Sequence, residues 1–203
     1  MAKKLHYYDF SGLAESIRLI FHYGKHDFED VRYDVKNYPN KELTASLPYG
    51  ALPIYEEGDR TLTQSVAIAR YAGNLSNLVP SDPWEQAVLD AAVLNIYDMW
   101  IKAVPIAREK DPTEKEALKK QFLSETVVYF YSRFETELSK NNGHFGGKLS
   151  WADFVLLGIT ETINATVGEE VEKNYPNIAA LMEKIKNLPG VKEYVATRKV
   201  YTI

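Results

Sequence analysis

A polar pair, Gln64-Ser65, stands directly before the apolar run Val66-Ala67-Ile68. Upstream lies Leu47-Pro48-Tyr49-Gly50-Ala51-Leu52-Pro53, a turn leading into a proline-headed strand. A serine at a helix start leaves a hydroxyl and unpaired backbone amides converging on one point, where the helix dipole favours a carboxylate. A strand edge just before it offers backbone donors and acceptors to an extended chain. These residue types suit a ligand that is both peptide-like and anionic, rather than a nucleotide, a metal ion or DNA. Tyr7 ends a short segment of β-formers and could bring a phenol to the same place. It is one of 14 tyrosines, so on its own it reads equally as a packed ring. Tyr8 is its competitor if the strand register shifts by one residue.

Composition narrows the chemistry. The 203-residue chain has no cysteine, which excludes disulfides, thiolate metal sites, Cys-x-x-Cys redox chemistry and a cysteine nucleophile. Sulfur chemistry, if any, must arrive with a substrate. His6, His22, His26 and His144 lack the spacing of a metal-binding pair on one helix face, so no metal is expected. A net charge of −4 argues against a nucleic-acid partner. Apolar runs fall short of the roughly 18 residues that suggest a membrane span. Met1-Ala2-Lys3-Lys4 leads straight into a strand without the apolar core of a signal peptide, so a cytoplasmic location is expected.

Hydrophobic spacing gives the elements that would position these residues. Residues 4–8 read as a strand. Leu13, Ile17, Ile20 and Phe21 follow helical spacing up to Gly24, a C-cap. Val31, Tyr33 and Val35 alternate as a second strand, and residues 36–52 read as an irregular connection. Pro53-Ile54-Tyr55 and Arg60-Thr61-Leu62 form a hairpin about Glu57-Gly58-Asp59, after which Ser65 caps a helix to about Ala72. Residues 1–76 thus form an α/β unit and 77–83 a linker. Residues 84–203 are all helix, with one capping box at Thr113-x-x-Glu116 and another at Ser150-x-x-Asp153. The Ser150–Asp153 pair is structural: it starts a central helix, and losing its carboxylate should cost about 1 kcal/mol or more.

Tyr7, Leu52-Pro53, Gln64-Ser65 with Ala67-Ile68-Ala69-Arg70-Tyr71, and Ser150-x-x-Asp153 together resemble a cytosolic glutathione S-transferase over nearly the whole chain. Lys4-Leu5-x-Tyr7 with Gly12-x-Ala14-Glu15-x-Ile17-Arg18 is most similar to the sigma class, which includes haematopoietic-type prostaglandin D synthases. The resemblance implies a thioredoxin-like N-terminal domain of order β-α-β-α-β-β-α, an all-α C-terminal domain, a cis bond before Pro53 and a homodimer. Glutathione is then the co-substrate. Tyr7 is the catalytic residue, its phenol favouring a thiolate that would otherwise be mostly protonated. Glutathione would touch Tyr7, Leu13, Tyr38, Lys41, Ala51, Leu52, Pro53, Gln64 and Ser65, and Asp98 would reach it from the partner subunit. Phe10, Leu13, Trp100, Val104 and Tyr201 would line a pocket for hydrophobic electrophiles. Leu13 replaces an arginine of the prostaglandin enzymes, Leu94 and Tyr97 replace two acids of their ion-binding cluster, and Ile106 replaces a pocket tryptophan. Prostaglandin D synthesis is therefore disfavoured. Lipid hydroperoxide reduction remains an alternative activity, as does a non-catalytic carrier or crystallin-like role.

Overall fold

The computed structural model describes residues 2–37 and 40–199. Strand β1 (Lys3–Tyr8) is central in a four-stranded sheet of order β2-β1-β3-β4. It pairs in parallel with β2 (Glu29–Tyr33) and antiparallel with β3 (Ile54–Glu57), which closes a hairpin with β4 (Arg60–Thr63). The parallel pair needs a crossover, and α1 (Glu15–Tyr23) supplies it. Every α1 residue from Glu15 to Phe21 is buried, charged ones included, because the helix lies between neighbours rather than on a surface. It packs on α3 (Ser65–Leu75) and on α7 (Trp151–Val167).

The helical part is built around α7. Its residues Trp151 to Thr160 are buried without a break, as a helix surrounded on all sides requires. Against it pack α4 (Pro83–Arg108) and α8 (Pro176–Lys186), and α5 (Pro112–Gln121), α6 (Val128–Lys140) and α9 (Val191–Thr197) complete the helical part. Helices α1 and α7 cross in backbone contact at Gly158, where a Cβ would lie 2.5 Å from Ser16 Oγ and 2.8 Å from Ser16 N. The sheet and the helical part are therefore fixed against each other by a close crossing.

Several local expectations change. The connection after β2 is not irregular throughout: Val35 leaves the strand for a 3-10 turn, and α2 (Lys41–Ser46) follows, with Asn40 Oδ1 accepting from the Leu43 amide at 3.0 Å. Gly24 caps α1 with φ −73°, while Lys25 takes the left-handed conformation. What needs glycine at 24 is space, since a Cβ would stand 2.3 Å from Ser76 Oγ. Asp111, not Thr113, caps α5, accepting from the amides of Thr113 and Glu114, with Pro112 at the first helical position. Between α5 and α6 runs a π-helical turn, Phe122–Val127, that keeps Phe122, Val127 and Phe130 buried. Pro83, placed in the linker by the sequence, is the first residue of α4, capped by Asp82.

Candidate functional site

Tyr7 lies at the end of β1, 6% exposed, and its hydroxyl accepts a 3.2 Å hydrogen bond from the Leu13 amide. The turn that carries Leu13 exists because Gly12 has φ +47° and passes under the Tyr7 and Phe10 rings. Arg18 secures the same loop from below. Its Nη1 donates to the carbonyls of Phe10 (2.9 Å) and Ser11 (3.3 Å), its Nε donates to Asp30, and its guanidinium lies 5.9 Å from the Tyr7 ring centroid. The Phe10 ring is 5.3 Å from that of Tyr7. Tyr8 is buried as well, packed edge-on against Tyr7.

The second half of the site is the approach to α3. The Leu52–Pro53 bond is cis, and the β1–β3 ladder ends at His6–Ile54, so Leu52 lies beyond it. Gln64 occupies the N-cap position with φ 71° and ψ 114°, a conformation uncommon for a residue with a side chain and held only where the surroundings over-determine it. Ser65 is therefore not the cap but the first helical residue, and it is buried. The first amide to bond back within the helix is that of Ile68, to Gln64 O.

Tyr97 of α4 joins the two halves, which sequence reasoning missed. Its hydroxyl donates to Ser65 Oγ at 2.9 Å. Burial pushes its phenol pKa up, and the neighbouring Tyr7 adds to the rise. Trp100 and Val104 follow Tyr97 at helical spacing and are partly buried, as are Phe10 and Leu13. Ile106, by contrast, lies in the core. Lys41 and Ala51 are exposed, and so is Asp98, which lines a separate cleft of about 650 Å³ with Ile101, Lys102, Glu125, Thr126, Tyr129 and Phe130. Tyr38 and Tyr201 lie outside the described residues. Among the described residues no group of three or more His, Asp or Glu could hold a metal ion, and no helix is long and apolar enough to cross a membrane.

Two family models cover these two parts. One, the glutathione S-transferase N-terminal domain, matches residues 3–74, and the other, the glutathione S-transferase C-terminal domain, matches residues 97–198. A glutathione S-transferase of Anopheles gambiae is 30% identical over 198 residues, covering 97% of each chain. The chain belongs to the glutathione S-transferase family. The human haematopoietic prostaglandin D synthase is also similar, 30% identical over 195 residues and 96% of each chain. A solved structure titled as prostaglandin synthase D of Nilaparvata lugens superposes with a TM-score of 0.91 at 33% identity, over 99% of this chain and 100% of that one. Glutathione S-transferases are enzymes with glutathione as co-substrate, and this chain has their fold: a sheet domain followed by a helical one. The polar groups gathered here are a backbone edge at Leu52, a helix start at Gln64-Ser65 and the Tyr7 phenol.

Proposed function

We propose that this glutathione S-transferase, of the sigma type, joins the sulfur of glutathione to small hydrophobic electrophiles. The observation that carries the reading is the convergence of Tyr7 and the α3 start on Tyr97, which contacts Ser65 and lies within electrostatic reach of Tyr7. Bound glutathione supplies the thiol. The start of α3 with Gln64 and Ser65 takes the γ-glutamyl carboxylate, and Leu52 pairs with the cysteinyl backbone beyond the β1–β3 ladder. Lys41 and Ala51 flank the glycyl end, with Pro53 and Leu13 shaping the groove. The Tyr7 hydroxyl accepts from the Leu13 amide, and a hydrogen bond donated by this phenol to the bound sulfur favours the charged form. Holding both reactants together supplies the rest, roughly 7 kcal/mol or more when well oriented. Phe10, Leu13, Trp100 and Val104 form the electrophile side.

The unit of function is a homodimer, and the division into residues 1–76 and 84–203 about a short linker separates the two binding halves. The exposed apolar side chains Leu94, Ile101, Val128 and Tyr129 on α4 and its neighbours, with Asp98 in the cleft among them, support this pairing. Sedimentation should show twice the 23.1 kDa chain mass. A single-chain mass at micromolar concentration would refute the pairing.

Conjugation of a chlorinated nitroaromatic at pH 6.5 tests the reaction. Tyr7→Phe should lower kcat/KM about 100-fold, the loss typical of one donor to a developing anion, while glutathione still binds. Full activity in that variant would remove Tyr7 from the mechanism. A chain that binds no glutathione in calorimetry would point to a structural or carrier role. A panel of endoperoxides, hydroperoxides and unsaturated aldehydes separates conjugation from the prostaglandin D synthesis named in two of the relatives and from peroxidase activity.

A further inference from the structure

Helices α3 and α4 run antiparallel along a polar seam. Arg70 Nε donates to Asp90 Oδ1 at 2.8 Å and its Nη2 donates to Gln86 Oε1 at 2.8 Å, while the Tyr97 hydroxyl donates to Ser65 Oγ at 2.9 Å. Gln86, Asp90 and Tyr97 share one face of α4, so the two Arg70 bonds fix the helix that presents Tyr97. Three polar contacts on one seam would serve merely to dock the helical part on α3. The place of the third suggests more, because Ser65 is the first residue of α3, where the leading amides have no acceptor in the helix.

A serine hydroxyl has one proton and two acceptor positions. Tyr97 fills one acceptor position of Ser65. The serine proton is then free to point at whatever faces the helix start, and the side chain is held in one rotamer. Burial keeps the Tyr97 phenol protonated at neutral pH, so it retains a proton to donate to Ser65. Donors in series, Tyr97 to Ser65 to a carboxylate, polarise one another.

We propose that Tyr97 is a positioning residue for the γ-glutamyl carboxylate: it orients the Ser65 hydroxyl from the helical domain and so sets affinity for the γ-glutamyl end rather than the rate of sulfur transfer. The proposal rests on the reading that glutathione binds at the start of α3. It extends that reading by making recognition of the tripeptide depend on a contact between the two halves of one chain.

Tyr97→Phe removes a single oxygen and tests this in the full-length chain. Calorimetry with glutathione is compared with steady-state kinetics at saturating electrophile, using either glutathione or cysteinylglycine, which lacks the γ-glutamyl carboxylate, as the thiol. The expected result is a rise in glutathione Kd and KM of roughly three- to tenfold, the scale of one hydrogen bond between neutral groups. The kcat should stay within about twofold, and kcat/KM for cysteinylglycine should not change. In a Ser65→Ala background Tyr97→Phe should add nothing, because the two act as one unit. If Tyr97→Phe destabilises the chain, the glutathione-induced rise in Tm gives the same reading, and it should be smaller than in the parent. An unchanged glutathione Kd, an equal loss with cysteinylglycine, or a full additional loss in the Ser65→Ala background would each show that Tyr97 only docks the helices. A parent chain that binds no glutathione at all would overturn the functional reading itself and this proposal with it.

Discussion

Gly12 shows how narrowly the site is built at the scale of a residue. Its φ of +47° suits few side chains, and a Cβ there would stand 2.6 Å from both the Tyr7 hydroxyl and the Phe10 ring. Gly12→Ala should therefore cost about 1–3 kcal/mol of stability from backbone strain and displace the Tyr7 ring as well. Thermal melting and conjugation rate, measured on the same preparation, check this: a variant with normal Tm and normal rate would show that the turn adapts. At this scale much of the site was legible. Tyr7, Leu52-Pro53 and Gln64-Ser65 stand beside turn and helix-start signals that are local in the chain. Tyr97 was not legible as a partner of Ser65, because 32 positions separate the two and only the packing of α4 on α3 joins them.

Asp153 carries the corresponding argument for an element. The spacing Ser150-x-x-Asp153 announced the start of α7, and the Ser150 amide does donate to Asp153 Oδ2 at 2.8 Å. The carboxylate has further partners that spacing could not reveal. Oδ1 accepts from the Phe145 amide at 2.9 Å, and His144 Nδ1 lies 3.1 Å from Oδ2. With Nδ1 donating, His144 Nε2 is left to accept from Lys184 Nζ of α8 at 2.7 Å. Burial pushes the Asp153 carboxyl up from its ordinary value, and these donors pull the other way. Asp153→Asn puts an amide where an acceptor is needed and leaves buried donors unpaired, at about 1–3 kcal/mol for each group orphaned. The loss should exceed the roughly 1 kcal/mol of a simple cap. Urea unfolding should show it as a lower midpoint at unchanged slope, and a midpoint shift no larger than that of Ser150→Ala would reduce Asp153 to an ordinary cap.

Across the whole molecule, the N-terminal helix is tied to the far end of the chain through one buried acid. Glu15 of α1, 2% exposed, accepts from the Tyr194 hydroxyl at 3.0 Å and pairs with both Arg18 and Arg198, while Arg198 also bonds Glu161 of α7. Burial works to raise the Glu15 carboxyl, but the charges of Arg18 and Arg198, with the hydrogen bonds from Arg198 and Tyr194, outweigh it and hold it below the ordinary range. A carboxyl depressed by folding stabilises the native state at pH values above its unfolded pKa, and that contribution is lost as pH falls through the lower folded one. Glu15→Gln should therefore lower Tm clearly at pH 7, by an amount reflecting roughly 3–5 kcal/mol for breaking a buried pair. The gap to the parent should narrow below about pH 4, where carboxylates protonate. A gap independent of pH would show that the ion pairs contribute nothing beyond packing. By itself the sequence determined what depends on composition and on neighbours in the chain: the order of strands and helices, the lack of a cysteine thiol of its own, and a polar helix start. Capping, periodicity and turn chemistry act over a few residues, so they leave their mark in spacing. The tertiary structure alone decided that Gln64 rather than Ser65 occupies the N-cap, and that Tyr97 and Arg198 bind the two parts together. Those outcomes rest on which distant surfaces come into contact, and no local pattern encodes the partner a side chain will meet.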